Sequence, residues 1–279
     1  MTQKILGISG RKQAGKNTVA NFLIGLMMSS LGIVHHRFMI DKNGRLAIED
    51  LYGDKRFEGI FDVQRNTPEM KQFREDALDP YIKLYSFADL LKQEVCVNIL
   101  GLTWEQCYGG DDDKNSLTHL KWEDMPGITC DESYNDRAVQ EVCGMMLNEC
   151  LQYHEPGQMT AREVLQYVGT DIFRKMYGNV WADATIKKVK EDGADLAIIC
   201  DARFPNEVNT VQNAGGKVMR LARNPFNDQH ASETALDPEN FDWNTFDWIV
   251  DNKDMNIGQQ NDAVYTPLAE IGWIPEIKG

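Results

Sequence analysis

No CxxC pair occurs among the six cysteines (Cys96, Cys107, Cys130, Cys143, Cys150, Cys200), and no histidine stands at zinc-finger spacing from them. That pattern argues against a structural zinc site or a disulfide framework, so the thiols are read as reduced, with Cys200 at the end of a buried strand. There is no run of about 18 apolar residues to span a bilayer. Met1 to Gly7 reads as entering a strand directly rather than as a basic-then-apolar signal, so the expected location is the cytoplasm. Basic residues are in deficit: 29 Lys and Arg stand against 43 Asp and Glu, a net charge of -14. Nucleic-acid backbone and anionic lipid would both repel such a surface, which leaves room only for a local basic pocket. The Asp111–Asp113 run lacks the glycine and terminal glutamate of a calcium loop and reads as a solvated acidic face.

What remains is an ordinary globular composition, 42% hydrophobic and 26% charged over 279 residues. That length fits one elaborated domain, 1–279, with insertions at about 35–65 and 102–158. Lys4 to Ser9 is an apolar run that stops at Gly10, and Val19, Phe22, Leu23, Leu26 and Met27 follow at helical spacing. Gly32 can close that helix. Phe38 to Glu49 carries an Asn43-Gly44 turn between apolar stretches and predicts a β-hairpin insertion. Tyr81 to Phe87 predicts a strand, and Leu90 to Ile99 a helix ended by Gly101. From Leu102 to Gly157 the pattern loosens, although Ala138 to Tyr153 has helical spacing. Thr160 with Glu163 forms a capping box, and Thr170-Asp171 can cap a further helix running toward Lys190. Ala194 to Cys200 predicts a central strand, Asn206 to Ala214 a helix ended by Gly215-Gly216, Lys217 to Leu221 and Asp247 to Val250 further strands. Strands separated by helices imply an α/β fold with a mostly parallel sheet.

Gly10-Arg11-Lys12-Gln13-Ala14-Gly15-Lys16 fits G-x-x-x-x-G-K between a predicted strand and a predicted helix, the context in which that pattern means a phosphate loop. Glycines let successive N–H groups turn onto phosphate oxygens, the helix N-terminus adds positive potential, and Lys16 reaches the β- and γ-phosphates. Gly15 is expected to tolerate no side chain. The usual next residue is Ser or Thr, whose hydroxyl helps hold magnesium; here it is Asn17, with Thr18 one place later. Asp201 follows the Ala194–Cys200 strand at its carboxyl end, where open α/β sheets bind ligands, and can hold magnesium through water or accept a proton. Arg203 is placed to meet a phosphate, and Glu207 lies one helical turn on. An Asp and Arg paired across a loop for structure is the alternative.

SGRKQAGKNT, with its internal Lys12, resembles the phosphate loop of viral deoxynucleoside monophosphate kinases, in which the position of Asn17 is usually Asp. Ser86-Phe87-Ala88-Asp89 with Leu91-Lys92, LQYVGTDIFR with Trp181, and Asp201-Ala202-Arg203-Phe204-Pro205-Asn206-Glu207 are similar to the same family in the same order. The resemblance runs from Ile5 to about Glu233. It implies a P-loop NTPase three-layer α/β fold with a β-hairpin insertion and a helical insertion, ATP as co-substrate with Mg2+, and a deoxynucleoside monophosphate as acceptor. By the same resemblance Lys12, Gln13, Gly15, Lys16, Asn17 and Thr18 surround the phosphates together with Gly10 and Ala14 of the loop, and Lys12 bridges donor and acceptor or is a solvated loop lysine. Asn17, Thr18 and Asp201 are the implied metal residues. Gln166, Gly169 and Thr170 resemble the acceptor site, with Glu207 and with Arg162 facing the same pocket or forming a surface ion pair. Trp181 stacks on the base or belongs to the core. Asp228 to Glu233, after Arg220, Arg223 and Asn224-Pro225, suits a lid over ATP. A homodimer is left open, and so are two rival activities, a phosphomevalonate-type kinase and a P-loop ATPase or nucleotide switch.

Overall fold

The computed structural model describes residues 3–52, 55–135, 151–225 and 231–276. The chain divides into two compact units, Met1–Phe87 with Ala182–Gly279, and Ala88–Trp181. In chain order the first unit supplies β1 (Lys4–Ser9), β2 (Arg37–Ile40), β3 (Leu46–Tyr52), β4 (Lys55–Ile60) and β5 (Ile82–Tyr85). The second supplies β6 (Leu117–Lys121), β7 (Ile128–Thr129), β8 (Gln152–Tyr153) and β9 (Gln158–Thr160), after which the first resumes with β10 (Leu196–Ala202), β11 (Lys217–Leu221) and β12 (Trp248–Val250).

Side-chain alternation explains the layers of the first unit. In β1, Leu6 and Ile8 point into one core and Ile5 into the other; in β10, Leu196 and Ile198 oppose Ala197 and Ile199 in the same way. A strand apolar on both faces must be covered on both, the pattern of a central parallel strand. The sheet runs β12-β11-β1-β10-β5, and all its pairs are parallel. On one face lie helix Lys16–Ser30, through Val19, Phe22, Leu23 and Leu26, and helix Ile257–Glu270, through Val264 and Leu268. On the other lie Ala182, Ile186 and Val189 of helix Val180–Asp192 with Val208 and Val211 of helix Pro205–Asn213. Each fully buried Leu or Ile in these layers contributes roughly 1.5–3 kcal/mol.

The predicted hairpin is present as β2 and β3, with β4 added as a third antiparallel strand. Its turn is built by Asp41, whose Oδ1 accepts the N–H groups of Asn43 (2.9 Å) and Arg45 (2.8 Å). Gly44 takes φ 77°, and its carbonyl accepts Asn21 Nδ2 at 2.9 Å, which seats the turn on the first helix beside Thr18. Gly32 (φ 70°) and Gly101 (φ 71°) stand in the left-handed region just past their helices, as their spacing predicted. Two readings change. Thr170-Asp171 caps nothing: it lies inside a helical run from Ala161 to Arg174 whose last part is π-helical, kept going by buried Val164, Tyr167 and Val168. The Ile257–Glu270 helix has no counterpart in the sequence reading, because Pro267 interrupts its apolar spacing, although Asn256 and Gln259 form a capping box at its start. The helical spacing of Ala138 to Tyr153 falls mostly outside the described residues, and its end, Gln152–Tyr153, is strand β8.

The second unit has its own core of Leu91, Cys96, Leu102, Cys107, Trp122, Met159, Ala161, Val164, Tyr167, Val168 and Trp181. Short helices at Trp104–Tyr108 and Asp111–Lys114 and the small ladders β6–β9 and β7–β8 complete it. Cys96, Cys107, Cys130 and Cys200 are not joined in disulfides. Among the described residues no helix is long and apolar enough to cross a membrane.

Gly44→Ala is expected to destabilise the protein by about 1–3 kcal/mol, since a Cβ there meets an unfavourable positive φ and overlaps Thr18 Oγ1. Urea unfolding measures this, and Thr18→Ala in the same chain should recover part of the loss. An unchanged midpoint would show that the turn does not bear on the helix.

Candidate functional site

Helix Lys16–Ser30 starts where β1 ends, and the link between them, Gly10–Gly15, turns on two residues of positive φ, Gln13 at 57° and Gly15 at 104°. Gly15 is the N-cap of that helix and offers no capping side chain, so the first amides of the helix are left for an outside acceptor. Ala14 is fully buried, whereas Lys12, Gln13 and Asn17 are exposed and Thr18 half-buried.

Lys16 is 8% exposed, and its ammonium donates to the carbonyls of Gly10 (2.6 Å) and Arg11 (2.8 Å). Burial lowers its pKa to about 8, helped by the cations Arg203 and Arg220 and opposed by Glu233 and Asp201. A charge held so close to losing its proton gains from an anion beside it. Asp201 owes its position to a β-bulge. β1 and β10 stay in register as far as Gly7 opposite Ile199, but Ser9 then faces Ala202, so β10 carries one extra residue at Cys200–Asp201. The Asp201 carboxylate accepts Ser86 Oγ (2.6 Å) and the Phe87 N–H (2.8 Å), which ties the end of β5 to the end of β10.

Arg203 begins the turn after β10. Glu207, 2% exposed, accepts the N–H groups of Arg203 (2.8 Å) and Phe204 (3.1 Å) from the third position of the following helix. Glu207, expected beside the substrate, is thus placed as a helix cap. The Arg203 guanidinium pairs with Glu233 and keeps 35% side-chain exposure. Arg220, in β11, is buried; it donates to Ser9 Oγ (3.0 Å), lies 3.6 Å from Asp237 and covers the rings of Trp243 and Phe246. Burial pushes its pKa down to about 10. Four cations, Arg11, Lys16, Arg203 and Arg220, thus meet three carboxylates, Asp201, Glu233 and Asp237, in a chain whose net charge is strongly negative.

Two loop supports escaped the sequence reading. Asn252, fully buried just after β12, donates through Nδ2 to Ala14 O (2.8 Å) and Gln260 Oε1 (2.6 Å) and accepts the Arg223 N–H (2.8 Å). Gln260 lies under Gly15, where a Cβ would come within 2.6 Å of its Oε1. Gly15 therefore excludes a side chain for two reasons, its φ and this contact. The signal for Asn252 was present: like Asp201, it is a polar residue at the carboxyl end of a sheet strand.

Of the residues expected to hold an acceptor, Arg162, Gln166, Gly169, Thr170 and Trp181 belong to the second unit. Arg162, Gln166 and Thr170 stand four apart along one helical run and are exposed, and Arg162 pairs with Asp111 (2.7 Å) and donates to Asn115 (3.0 Å). Gly169 is buried. Trp181 is 6% exposed, packs on Phe173 and donates its indole N–H to Gly169 O at 3.0 Å, the placement of a core residue. Of the lid stretch, Phe226 to His230 lies outside the described residues; Arg223, ahead of it, is pinned to the carbonyls of Asn252 and Met255.

A family model described as deoxynucleotide monophosphate kinase matches residues 114–256, just over half of the chain. The match takes in the QYVGTD segment, Asp201, Arg203 and Glu233 and begins after the glycine loop. No curated protein matches the sequence.

Because Lys16 is protonated below about pH 8 and neutral above it, binding of ATP without metal is expected to weaken with rising pH. Calorimetric titration at about pH 7.5 and pH 9 should show a loss of roughly tenfold, and Lys16→Ala should abolish the slope. An affinity independent of pH would contradict a role for the ammonium in anion binding.

Proposed function

We propose that this chain, which belongs to the deoxynucleotide monophosphate kinase family, takes the γ-phosphate of ATP on its Gly10–Lys16 loop and gives the nucleoside diphosphate and ADP. The chain is a kinase of deoxynucleoside monophosphates; the donor, the metal and the residue roles are the proposal. The observation that carries it is the buried Lys16 ammonium at the start of a helix without a capping side chain, with Arg203 beside it. In this transfer a phosphorus–oxygen bond to the leaving ADP breaks as one to the acceptor's phosphate oxygen forms, and negative charge spreads over the moving group. Lys16 and Arg203 supply the opposing charge, and amides of the loop and the first helical turn hold the donor phosphates. Lys12, exposed on the same loop, is the side chain proposed to reach the acceptor's phosphate.

Magnesium suits the residues present. Among the described residues no three His, Cys, Asp or Glu side chains gather into a metal cage. Asp201, Thr18 and Asn17 offer oxygen atoms alone, the set that serves an ion keeping several waters and taking its other ligands from a nucleotide. Bound there, the ion would neutralise phosphate charge. Asp201 and Thr18 are the residues proposed to hold it, with Asn17 a neutral substitute for the family's carboxylate. On the acceptor side Gln166 and Thr170, exposed in the second unit, are proposed to read the base and a sugar or phosphate oxygen. The likeness of the loop to viral kinases supports a viral origin and action in the host cytoplasm.

The protein mixed with ATP, magnesium and each deoxynucleoside monophosphate in turn should release ADP in step with diphosphate formation. Lys16→Ala should lower kcat by roughly 10²–10³-fold. ADP release that ignores the acceptor would replace this reading with an ATPase, and diphosphate formed only from phosphomevalonate would replace the acceptor. Asn17→Asp is expected to lower the magnesium concentration needed for half-maximal rate, because a carboxylate binds a hard cation better than an amide does. An unchanged magnesium requirement would remove Asn17 from the metal's surroundings.

A further inference from the structure

Glu233 and Asp237 lie four residues apart, and each carboxylate takes one partner from the glycine loop and one arginine from the end of a central strand. Glu233, 7% exposed, accepts the Lys12 backbone N–H at 2.6 Å and pairs with the Arg203 guanidinium. Asp237, 9% exposed, accepts both Nε (3.1 Å) and Nη2 of Arg11 and lies 3.6 Å from Arg220.

The two bridges differ in what they leave over. Arg11 and Arg220 are buried, and Arg220 is enclosed by Ser9, Trp243 and Phe246, so neither presents its guanidinium to a ligand. Arg203 keeps a third of its side chain exposed, and a guanidinium with five N–H donors has several left after one carboxylate contact. A long side chain at a strand end would otherwise sample many rotamers, and freezing it at the moment of reaction costs free energy. The Glu233 carboxylate removes that freedom in advance and ties the result to the backbone of the loop itself.

We infer that Glu233 is a positioning residue for phosphoryl transfer, which holds Arg203 against the glycine loop so that the remaining guanidinium donors meet the moving group, whereas Asp237 serves stability. This rests on the kinase reading given above. Glu233 reaches the chemistry through Arg203, and that gives it two signatures a purely structural carboxylate lacks. Its loss should act on kcat rather than on KM. It should be non-additive with loss of Arg203.

The test is steady-state kinetics of the full chain with ATP, magnesium and the best deoxynucleoside monophosphate. Glu233→Gln is expected to lower kcat by about 10–100-fold with both KM values little changed. Glu233→Gln/Arg203→Ala should be no worse than Arg203→Ala alone. Asp237→Asn should lower the melting temperature, and any kcat loss it brings should multiply with that of Arg203→Ala. If Glu233→Gln does not fold, Glu233→Asp, which keeps the charge but shortens the reach, should show the kcat loss with KM little changed. Wild-type kcat in the variant that folds, or losses that multiply in the Glu233→Gln/Arg203→Ala double variant, would overturn the inference alone. A wild-type chain that forms no diphosphate would overturn the kinase reading and this inference with it.

Discussion

The parallel pairing of β1 between β10 and β11 is the constraint on which the rest depends. Leu6 lies opposite Ile198 on one side and Lys217 on the other, and Ser9 opposite Ala202 and Arg220. Three carboxyl ends are thereby brought together, and the cations and the loop hang from them: the loop with Arg11 and Lys16 from β1, Asp201 and Arg203 from β10, Arg220 from β11. The register itself is fixed by burial, because a slip of one residue would exchange Leu6 and Ile8 for Ile5 and Gly7 on a face already filled by the first helix. Among the described residues of this sheet, the bulge at Cys200–Asp201 is the one departure from regular pairing. It lets β10 end with Ala202 in the core while Asp201 turns to Ser86 and Phe87.

An anionic chain builds a cationic site by pairing most of its cations before any ligand arrives. Four basic groups packed together would repel one another and lose hydration, a cost that grows as water is excluded. Glu233 and Asp237 offset it for Arg203, Arg11 and Arg220. Lys16 is treated differently: carbonyl oxygens, not carboxylates, receive its ammonium, and burial leaves its proton loosely held. A phosphate meeting Lys16 displaces no counter-charge and restores what burial took away.

The sequence made the first unit readable because its signals are local. An apolar run, two glycines at fixed spacing and a helical stripe were enough to place β1, the loop and the first helix, and the same arithmetic placed β10, helix Pro205–Asn213 and β11. What stayed hidden was long-range. Asn252 and Gln260 support a loop more than 230 residues earlier, and no periodicity links them to it. Glu233 was visible only as one residue of a polar stretch, since its role lies in the two groups that converge on it. Trp181 shows the opposite limit: beside QYVGTD it reads equally as a base-stacking residue or as core, and only its burial and the hydrogen bond to Gly169 place it in the core.

The hairpin that carried no chemical signal bears on the same problem. Its turn rests on the first helix at Thr18 and Asn21, Asn252 and Gln260 hold the loop at Ala14 and Gly15, and Glu233 and Asp237 hold it at Lys12 and Arg11. Those contacts fall at Arg11, Lys12, Ala14, Gly15 and Thr18 and come from segments remote from the loop in sequence. A glycine loop free in solution would lose roughly 1–2 kcal/mol of backbone entropy per residue on closing around a phosphate. Here that ordering is done by folding, so the binding energy of a nucleotide is not spent on shaping its own site and stays available for the charge that develops during transfer. The strained Gln13 and the unpaired buried Gln260 Nε2 are the visible costs of this arrangement, and both lie in or against the loop.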